Sequence, residues 1–298
     1  MNIKKLKQIG LSHSRLSTYR SGCKKRFWLT MQGWINPMSS RAKNTLFGNL
    51  CHYISEQTLQ STAVADLIIH CNKYVLQNQN DLSSVDSQEI EHNKALAAIT
   101  MHCYFNLQNA YKNYTVLKNE LYLKRLRVGN HVFNIKIDKV LQDKKTKELW
   151  ILDHKCKSRF DVDTLAKKIV IDQQLQLYRK GFETAYKRKI TGIIWDLIRK
   201  PGLRMTKKDV DMNAFMNRVK EDIEKRPEWY FVSIPLRLRP EYSENFDREL
   251  DTEMVQLYAD LEKGETAFIK NTDVCSDPFT CDFLDGCSSG NMNMYIKR

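Results

Sequence analysis

Three apolar runs crowded between residues 116 and 155 constrain this 298-residue chain more than any other feature. Val116 to Val128, His131 to Gln142 and Glu148 to Lys155 read as strands. Gly129-Asn130 separates the first two, and the charged turn Asp143-Lys144-Lys145 the last two, so the runs predict a strand meander. The surroundings are helical. Ser12 or Ser14 is placed to N-cap a short helix ending near Ser21-Gly22. Further helices are predicted over Thr45 to Leu59, Ala65 to Gln77 and Ser87 to Tyr111, with a polar loop at Asn78 to Asp86. Beyond the meander, Leu165 to Lys187 has helical spacing, with Leu175, Tyr178, Phe182 and Ala185 on one side. Thr191 to Ile198 returns as a strand. Helices over Asp209 to Lys225 and Phe246 to Lys263 flank a Pro-punctuated strand around Phe231 to Leu238. This order predicts an α/β or α+β core with helical wrapping.

The meander also carries the strongest chemistry. Asp138 closes Asn134-Ile135-Lys136-Ile137, and Asp153 and Lys155 lie in Trp150-Ile151-Leu152-Asp153-His154-Lys155. Positions i and i+2 of a strand share a face, so Asp153 and Lys155 point into one space, and Asp138 can join them from the neighbouring strand. Two carboxylates and an ammonium in one pocket suit a hard cation and phosphodiester cleavage. Asp-x-Lys alone equally suits strand-end salt bridges, with Lys139 and Lys155 as the partners.

Charge narrows the class of partner. With 48 basic and 35 acidic residues the net charge is +13, which favours an anionic ligand. Basic clusters at Lys24-Lys25-Arg26, Lys124-Arg125-Arg127, Lys187-Arg188-Lys189 and Arg237-Arg239 often lie near aromatic residues such as Phe27, Trp28, Tyr122 and Tyr186. That mixture suits nucleic acid, while the lack of a strongly amphipathic basic helix argues against a membrane surface. No apolar run approaches the roughly 20 residues of a bilayer span, and the basic N-terminus lacks the apolar core of a signal peptide. A soluble cytoplasmic protein is expected, in which the eight cysteines do not pair as disulfides. No Gly-x-x-x-x-Gly-Lys-Ser/Thr motif is present, so any unwinding must come from a partner.

Three cysteines, Cys275, Cys281 and Cys287, fall within thirteen residues, separated by turn formers. Three thiols are one short of a tetrahedral metal site or a cubane cluster. Iron–sulfur, zinc and free thiols all remain open on spacing alone. Cys51, Cys71, Cys103 and Cys156 read as small core residues.

Together these residues resemble the PD-(D/E)XK nuclease superfamily, in its branch of RecB/AddB-type exonucleases and CRISPR-associated adaptation nucleases. That branch orders a His on an early helix, an Asp after a strand, an Asp/Glu-x-Lys, and Gln-x-x-x-Tyr on the following helix. Here the matching stretches are Gly48-Asn49-Leu50-Cys51-His52, Ile137-Asp138, Asp153-His154-Lys155 and Gln174-Leu175-Gln176-Leu177-Tyr178, after an opening Leu11-Ser12-His13-Ser14-Arg15-Leu16. The resemblance spans about residues 11 to 287. It implies a restriction-endonuclease-like core, a mixed central sheet flanked by helices, over residues 111–240. An N-terminal helical region (1–110) and a C-terminal helix with a cysteine clasp (241–298) would surround it.

The resemblance further implies that Asp138 and Asp153 ligate Mg2+ or Mn2+ with the peptide carbonyl of His154, and that His52 adds a softer ligand favouring Mn2+. Lys155 would hold or deprotonate the attacking water and offset charge on the phosphorane. Gln174 and Tyr178, one helical turn apart, would face the site and the DNA. Cys23 would join Cys275, Cys281 and Cys287 around a [4Fe-4S] cluster. Two of the C-terminal cysteines often lie closer together in the family than here. Glu120 resembles a frequent acidic position that could serve a second metal or a nearby base. Lys136 departs from the family, which often has a small residue there, and is expected to narrow the cleft or touch phosphate. The implied activity is a stand-alone DNA exonuclease in recombination, repair or phage DNA processing. It would act on single strands or duplex ends, with a helicase, annealing protein or other recombination partner, in a bacterial or phage-infected cytoplasm. The other reading is a DNA-binding subunit of a recombination or spacer-processing complex whose centre is inactive or partner-activated.

Overall fold

Gly129 turns the chain at φ +58, and the first two strands of the meander pair directly across it, Val128 opposite His131. The structure, a computed structural model, describes residues 2–20, 22–36, 41–60, 62–107, 111–276 and 280–297. Short helices α1 (Ile3–Ile9), α2 (His13–Arg20) and α3 (Lys24–Met31) lead to a two-residue strand, β1 (Trp34–Ile35). Helices α4 (Arg41–Gln57), α5 (Val64–Gln77) and α6 (Ser87–Leu107) precede the meander strands β2 (Tyr114–Val128), β3 (His131–Asp143) and β4 (Leu149–Lys157). Next come α7 (Val162–Lys168), α8 (Gln173–Tyr186), β5 (Gly192–Arg199), α9 (Met212–Lys225), α10 (Pro227–Tyr230) and β6 (Phe231–Arg237). The chain closes with α11 (Pro240–Lys263), α12 (Leu284–Ser289) and β7 (Ile296–Lys297). Among the described residues no helix is long and apolar enough to cross a membrane.

The five long strands form one mixed sheet in the order β2-β3-β4-β5-β6. Its neighbours are antiparallel except β4 and β5, whose parallel pairing requires the α7–α8 crossover. Helices cover both faces, as the burial of every residue of β5 requires. On one face α1, α2, α8 and α11 bury Leu6, Leu16, Leu175 and Leu257 against Phe133, Ile135, Ile151 and Ile193. On the other, α4, α5, α6 and α9 enclose Leu50, Leu67, Leu96 and Phe215, with Cys51, Cys71 and Cys103 packed among them.

Several boundaries differ from the sequence expectation for local reasons. The stretch Leu165 to Lys187 is not one helix. Ile169–Ile171, three β-branched residues, form a 3-10 turn, and Asp172 accepts the Leu175 amide at 2.9 Å to cap a new helix. Asp209 does not begin a helix. It binds Arg218 and the Thr206 amide, and Asp211 caps α9 instead. Pro240, suited to a first turn, starts α11 six residues before Phe246. The long helix stops at Leu107, with residues 108–110 outside the described set and Tyr111 in the turn beyond. At α2 Arg15 N donates to Ser12 Oγ at 3.4 Å, and the predicted end of that helix at Ser21 lies outside the described residues. The β1–β7 ladder, Trp34 opposite Lys297 and Ile35 opposite Ile296, is too short to leave a periodic signal.

Candidate active site

The pairing of β3 with β4 runs from Gln142–Leu149 to Lys139–Leu152 and stops there. Asp138 and Asp153 are the next positions on each strand, so the carboxylates stand where the sheet splits. The Asp138 side chain bridges the opening: its Oδ2 accepts the His154 amide at 2.9 Å, replacing a ladder bond. Asp138 and Asp153 are 8% and 2% exposed. Two residues along β4, Lys155 Nζ reaches Asp153 Oδ2 at 2.8 Å, an ionic contact without hydrogen-bond alignment.

Helix α8 supplies the roof. It can pack this closely because residue 181 is glycine: a Cβ there would lie 2.4 Å from Ile135 Cδ1. Its first turn then presents Gln174, whose Oε1 accepts Lys155 Nζ at 2.7 Å and whose Nε2 donates to Tyr178 OH at 2.6 Å. Helix α4 supplies the opposite wall, with His52 Nδ1 3.5 Å from Asp138 Oδ2. All six side chains of the predicted centre therefore converge.

Burial sets the charges here. It pushes the Asp153 carboxyl up to about 7, against the pull of Lys155 and with a further push from Asp138. Burial also works to raise Asp138, but His52, His154, the His154 amide and Lys155 bring it below the ordinary carboxylate value. Burial lowers His52 to about 4, so the ring is neutral at pH 7 and the amide and Lys155 are the effective partners of Asp138 there. Lys155 is an ammonium: burial lowers its pKa, yet Asp153 more than compensates.

The His154 side chain alternates to the far face of β4 and enters a buried network. Its Nδ1 lies 3.0 Å from Asp196 Oδ2, and its Nε2 lies 3.0 Å from Ser55 Oγ and 3.1 Å from Tyr111 OH. Tyr104 OH and Ser233 Oγ donate to the two Asp196 oxygens at 2.5 and 2.6 Å. This network fixes the peptide between Asp153 and Lys155. Sequence reasoning missed Asp196, although a lone acid inside Ile193-Ile194-Trp195-Asp196-Leu197-Ile198 signals a buried partner. It also missed Asp172, which caps α8 at the roof.

The flanking ions are engaged elsewhere. Lys139 binds Ser55 O at 2.9 Å and Asn119 Oδ1 at 2.6 Å rather than Asp138 or Asp153. Lys136 reaches Glu120 Oε2 at 2.5 Å, on a residue held at φ +53 in β2, and Glu56 Oε2 at 4.0 Å. Glu120 thus faces a lysine.

Cys23 begins α3, and its Sγ accepts the Asn271 amide at 3.3 Å. Cys275 Sγ donates to Asn271 O at 3.6 Å, and the Cys281 amide donates to Cys275 O at 2.7 Å. Cys281 and Cys287 border a small apolar cluster of Leu29, Phe283 and Tyr295. Burial raises both of these thiols, and Cys23 lies within electrostatic reach of each. Asn271 and the Cys275 carbonyl thus link Cys23, Cys275 and Cys281 into one corner with Cys287, although among the described residues the thiols do not stand at the spacing of cluster ligands. Asp277, Pro278 and Phe279 of that stretch lie outside the described residues.

The model of the PD-(D/E)XK nuclease superfamily matches residues 10–288, which contain every one of these positions. The chain belongs to the PD-(D/E)XK nuclease superfamily. Among solved structures, a protein named Putative exonuclease from Eubacterium rectale aligns over 97% of this chain and 91% of its own, at 9% identity and a TM-score of 0.45. No curated protein matches the chain. Membership explains the mixed five-stranded sheet and implies a DNA substrate.

PD-(D/E)XK nucleases typically use divalent metals, and the donors here suit one. Asp138 and Asp153 are buried carboxylates, and Asp153 Oδ2 receives no aligned hydrogen bond. A hard cation would meet that need with oxygen ligands. Among the described residues no three His, Cys, Asp or Glu side chains stand at the mutual spacing of a preformed metal cage.

Proposed function

We propose that this nuclease is a metal-dependent DNA exonuclease of the RecB/AddB type, with a [4Fe-4S] cluster on Cys23, Cys275, Cys281 and Cys287. The observation that carries the catalytic part is the split between β3 and β4, where Asp138, Asp153 and Lys155 meet His52, Gln174 and Tyr178. Asp138, Asp153 and the His154 carbonyl would hold Mg2+ or Mn2+, with His52 as an added ligand. The bound ion would polarise the scissile phosphate and lower the pKa of a ligated water.

The protein groups have separable roles. Lys155, protonated beside Asp153, donates hydrogen bonds to the attacking water and to the developing phosphorane charge. Gln174 Oε1 fixes the ammonium, and Tyr178 fixes the Gln174 amide, so the pair sets the direction of the Lys155 donors. Neutral His52, with Nδ1 3.5 Å from Asp138 Oδ2, stands where it could share an ion with that carboxylate. His154 and Asp196 keep the 154 peptide from rotating.

End-labelled single- and double-stranded DNA incubated with Mg2+ or Mn2+ tests this reading. Loss of cleavage in Asp153→Ala supports it, while equal behaviour of wild type and Asp153→Ala in every assay refutes it. The net charge of +13 suits one second reading equally, a DNA-binding subunit whose centre is completed by a partner. Binding without cleavage in all metals would select it.

A further inference from the structure

The sequence extends β4 past the catalytic lysine through Lys157-Ser158-Arg159, and extends β5 through Arg199-Lys200-Pro201-Gly202-Leu203-Arg204. Parallel strands place such extensions side by side beyond their carboxyl ends, a common location for ligands in α/β sheets. Here they wall a cleft of about 1300 Å3, closed on its far side by α10. Six cations line it, from Lys43, Arg159, Arg199, Lys200, Arg204 and Arg226, against two carboxylates. Both acids are engaged: Asp86 accepts the amides of Gln88 and Glu89, and Glu89 lies 3.4 Å from Lys43.

The cations are of two kinds. Arg199 is buried, its guanidinium 3.9 Å from the centroids of both Phe160 and Trp229, and its Nε donates to Trp229 O at 2.9 Å. Arg226 is tied to Asp222 at 2.7 Å. Arg159 and Arg204 are exposed and have no ionic or hydrogen-bond partner for their guanidinium groups among the described residues. Two free forks in a net-positive cleft match phosphate oxygens. Trp229 lines the same cleft, half exposed and held by the Arg199 guanidinium, which gives a rigid aromatic face in water. An unstacked base can cover such a face, whereas a duplex keeps its bases stacked inside.

We propose that this cleft is a binding track for single-stranded DNA beside the cutting centre, Arg159 and Arg204 each taking a phosphate and Trp229 stacking on a base. The track rests on the nuclease reading for its purpose, since Arg159 is four residues beyond Lys155.

Fluorescence anisotropy with a labelled single-stranded oligonucleotide of about twelve nucleotides, in chelator to prevent cutting, tests it. The Arg159→Glu/Arg204→Glu double variant should bind at least tenfold more weakly. Its log affinity against log salt should flatten by about 1.4, two phosphates at roughly 0.7 each for a single strand. Trp229→Ala should lose about tenfold with the slope unchanged, and Trp229→Phe should recover most of that loss. Wild-type affinity and slope in the double variant, with unaltered thermal melting, would overturn the track. A blunt duplex that binds equally tightly and loses equally would overturn its single-strand character.

Hydrolysis of bis(p-nitrophenyl) phosphate by wild type against Asp153→Ala tests the nuclease reading separately. Equal rates there, with oligonucleotide binding still lost in the double variant, would leave the track standing and remove the nuclease. Unequal rates with unaffected binding would do the reverse.

Discussion

The split between β3 and β4, the proposed catalytic centre, and the cysteine corner are built on opposite plans. At the split, rigid strands and two packed helices hold each side chain: Asp138 binds a backbone amide, Lys155 is fixed by Gln174, and His154 is anchored to Asp196 beneath them. At the corner, the thiols ride on the start of α3, on turns and on the six-residue α12, and a small apolar cluster of Leu29, Phe283 and Tyr295 backs Cys281 and Cys287. A site on sheet strands is positioned by the fold before any ligand arrives. A site on turns that joins both ends of the chain depends on its ligand for order. A metal would therefore tune the first and build the second.

The largest effect should accordingly appear far from the chemistry. Cys23 and Cys275 are 252 positions apart, and tying them through one cluster restricts the unfolded chain by about 5 kcal/mol in the chain-entropy description. Cys281→Ser should abolish the broad visible absorption of the proposed cluster and lower thermal stability sharply, read by absorbance and calorimetry on the same sample. Stoichiometric zinc in a colourless protein would replace iron with zinc and leave the clasp. Full stability in Cys281→Ser would break the contrast between the two sites.

Next in size is the centre itself. Asp153→Ala and Lys155→Ala should each cost about 10²–10³-fold in cleavage rate, with melting temperature close to wild type for Lys155→Ala. If Lys155→Ala unfolded the protein, the split would be a structural ion pair rather than a preorganised site.

What the sequence disclosed and what it concealed follow the same division. Alternation in Trp150-Ile151-Leu152-Asp153-His154-Lys155 fixes which side chains share a face, because period two has no other solution once the core side is apolar. Gln174 and Tyr178 were legible through the one-turn spacing of a helix and the family pattern. The helix break at Asp172 was not, because an apolar run of Ile169-Val170-Ile171 satisfies helical spacing while its branching disfavours the conformation. The pairing of Lys136 with Glu120 depends on the positive φ of a non-glycine residue in β2, which no periodicity encodes. The His154–Asp196 contact joins residues on parallel strands separated by a crossover, so only the folded register brings them together.

That contact gives the third prediction. Asp196→Asn keeps the shape but weakens the hold on the His154 ring, and with it the 154 peptide. Mn2+ affinity, followed by calorimetry without DNA, should fall about 10–100-fold, as for other groups that orient a ligand through a neighbour. An unchanged Mn2+ affinity would show that the strand backbone alone fixes the peptide, which would sharpen the contrast with the cysteine corner.

The smallest effect is a pH dependence at the split in chelator. Burial lowers His52 from 6.5 to about 4, so between those values the unfolded chain holds a proton that the folded protein does not. Stability from this group is present above pH 6.5 and is lost as pH falls toward 4. Asp153, lifted by burial to about 7, takes up its proton in the folded state across the same window and tilts the curve the other way. The His52 contribution is therefore the difference between wild type and His52→Gln, followed by chemical denaturation from pH 7 to pH 5. Wild type should lose ground to His52→Gln on acidification, by under about 1 kcal/mol because the ring is partly open to solvent and its neighbours are screened. Parallel curves would mean that His52 is solvated and free to protonate, and would remove it from the wall of the site.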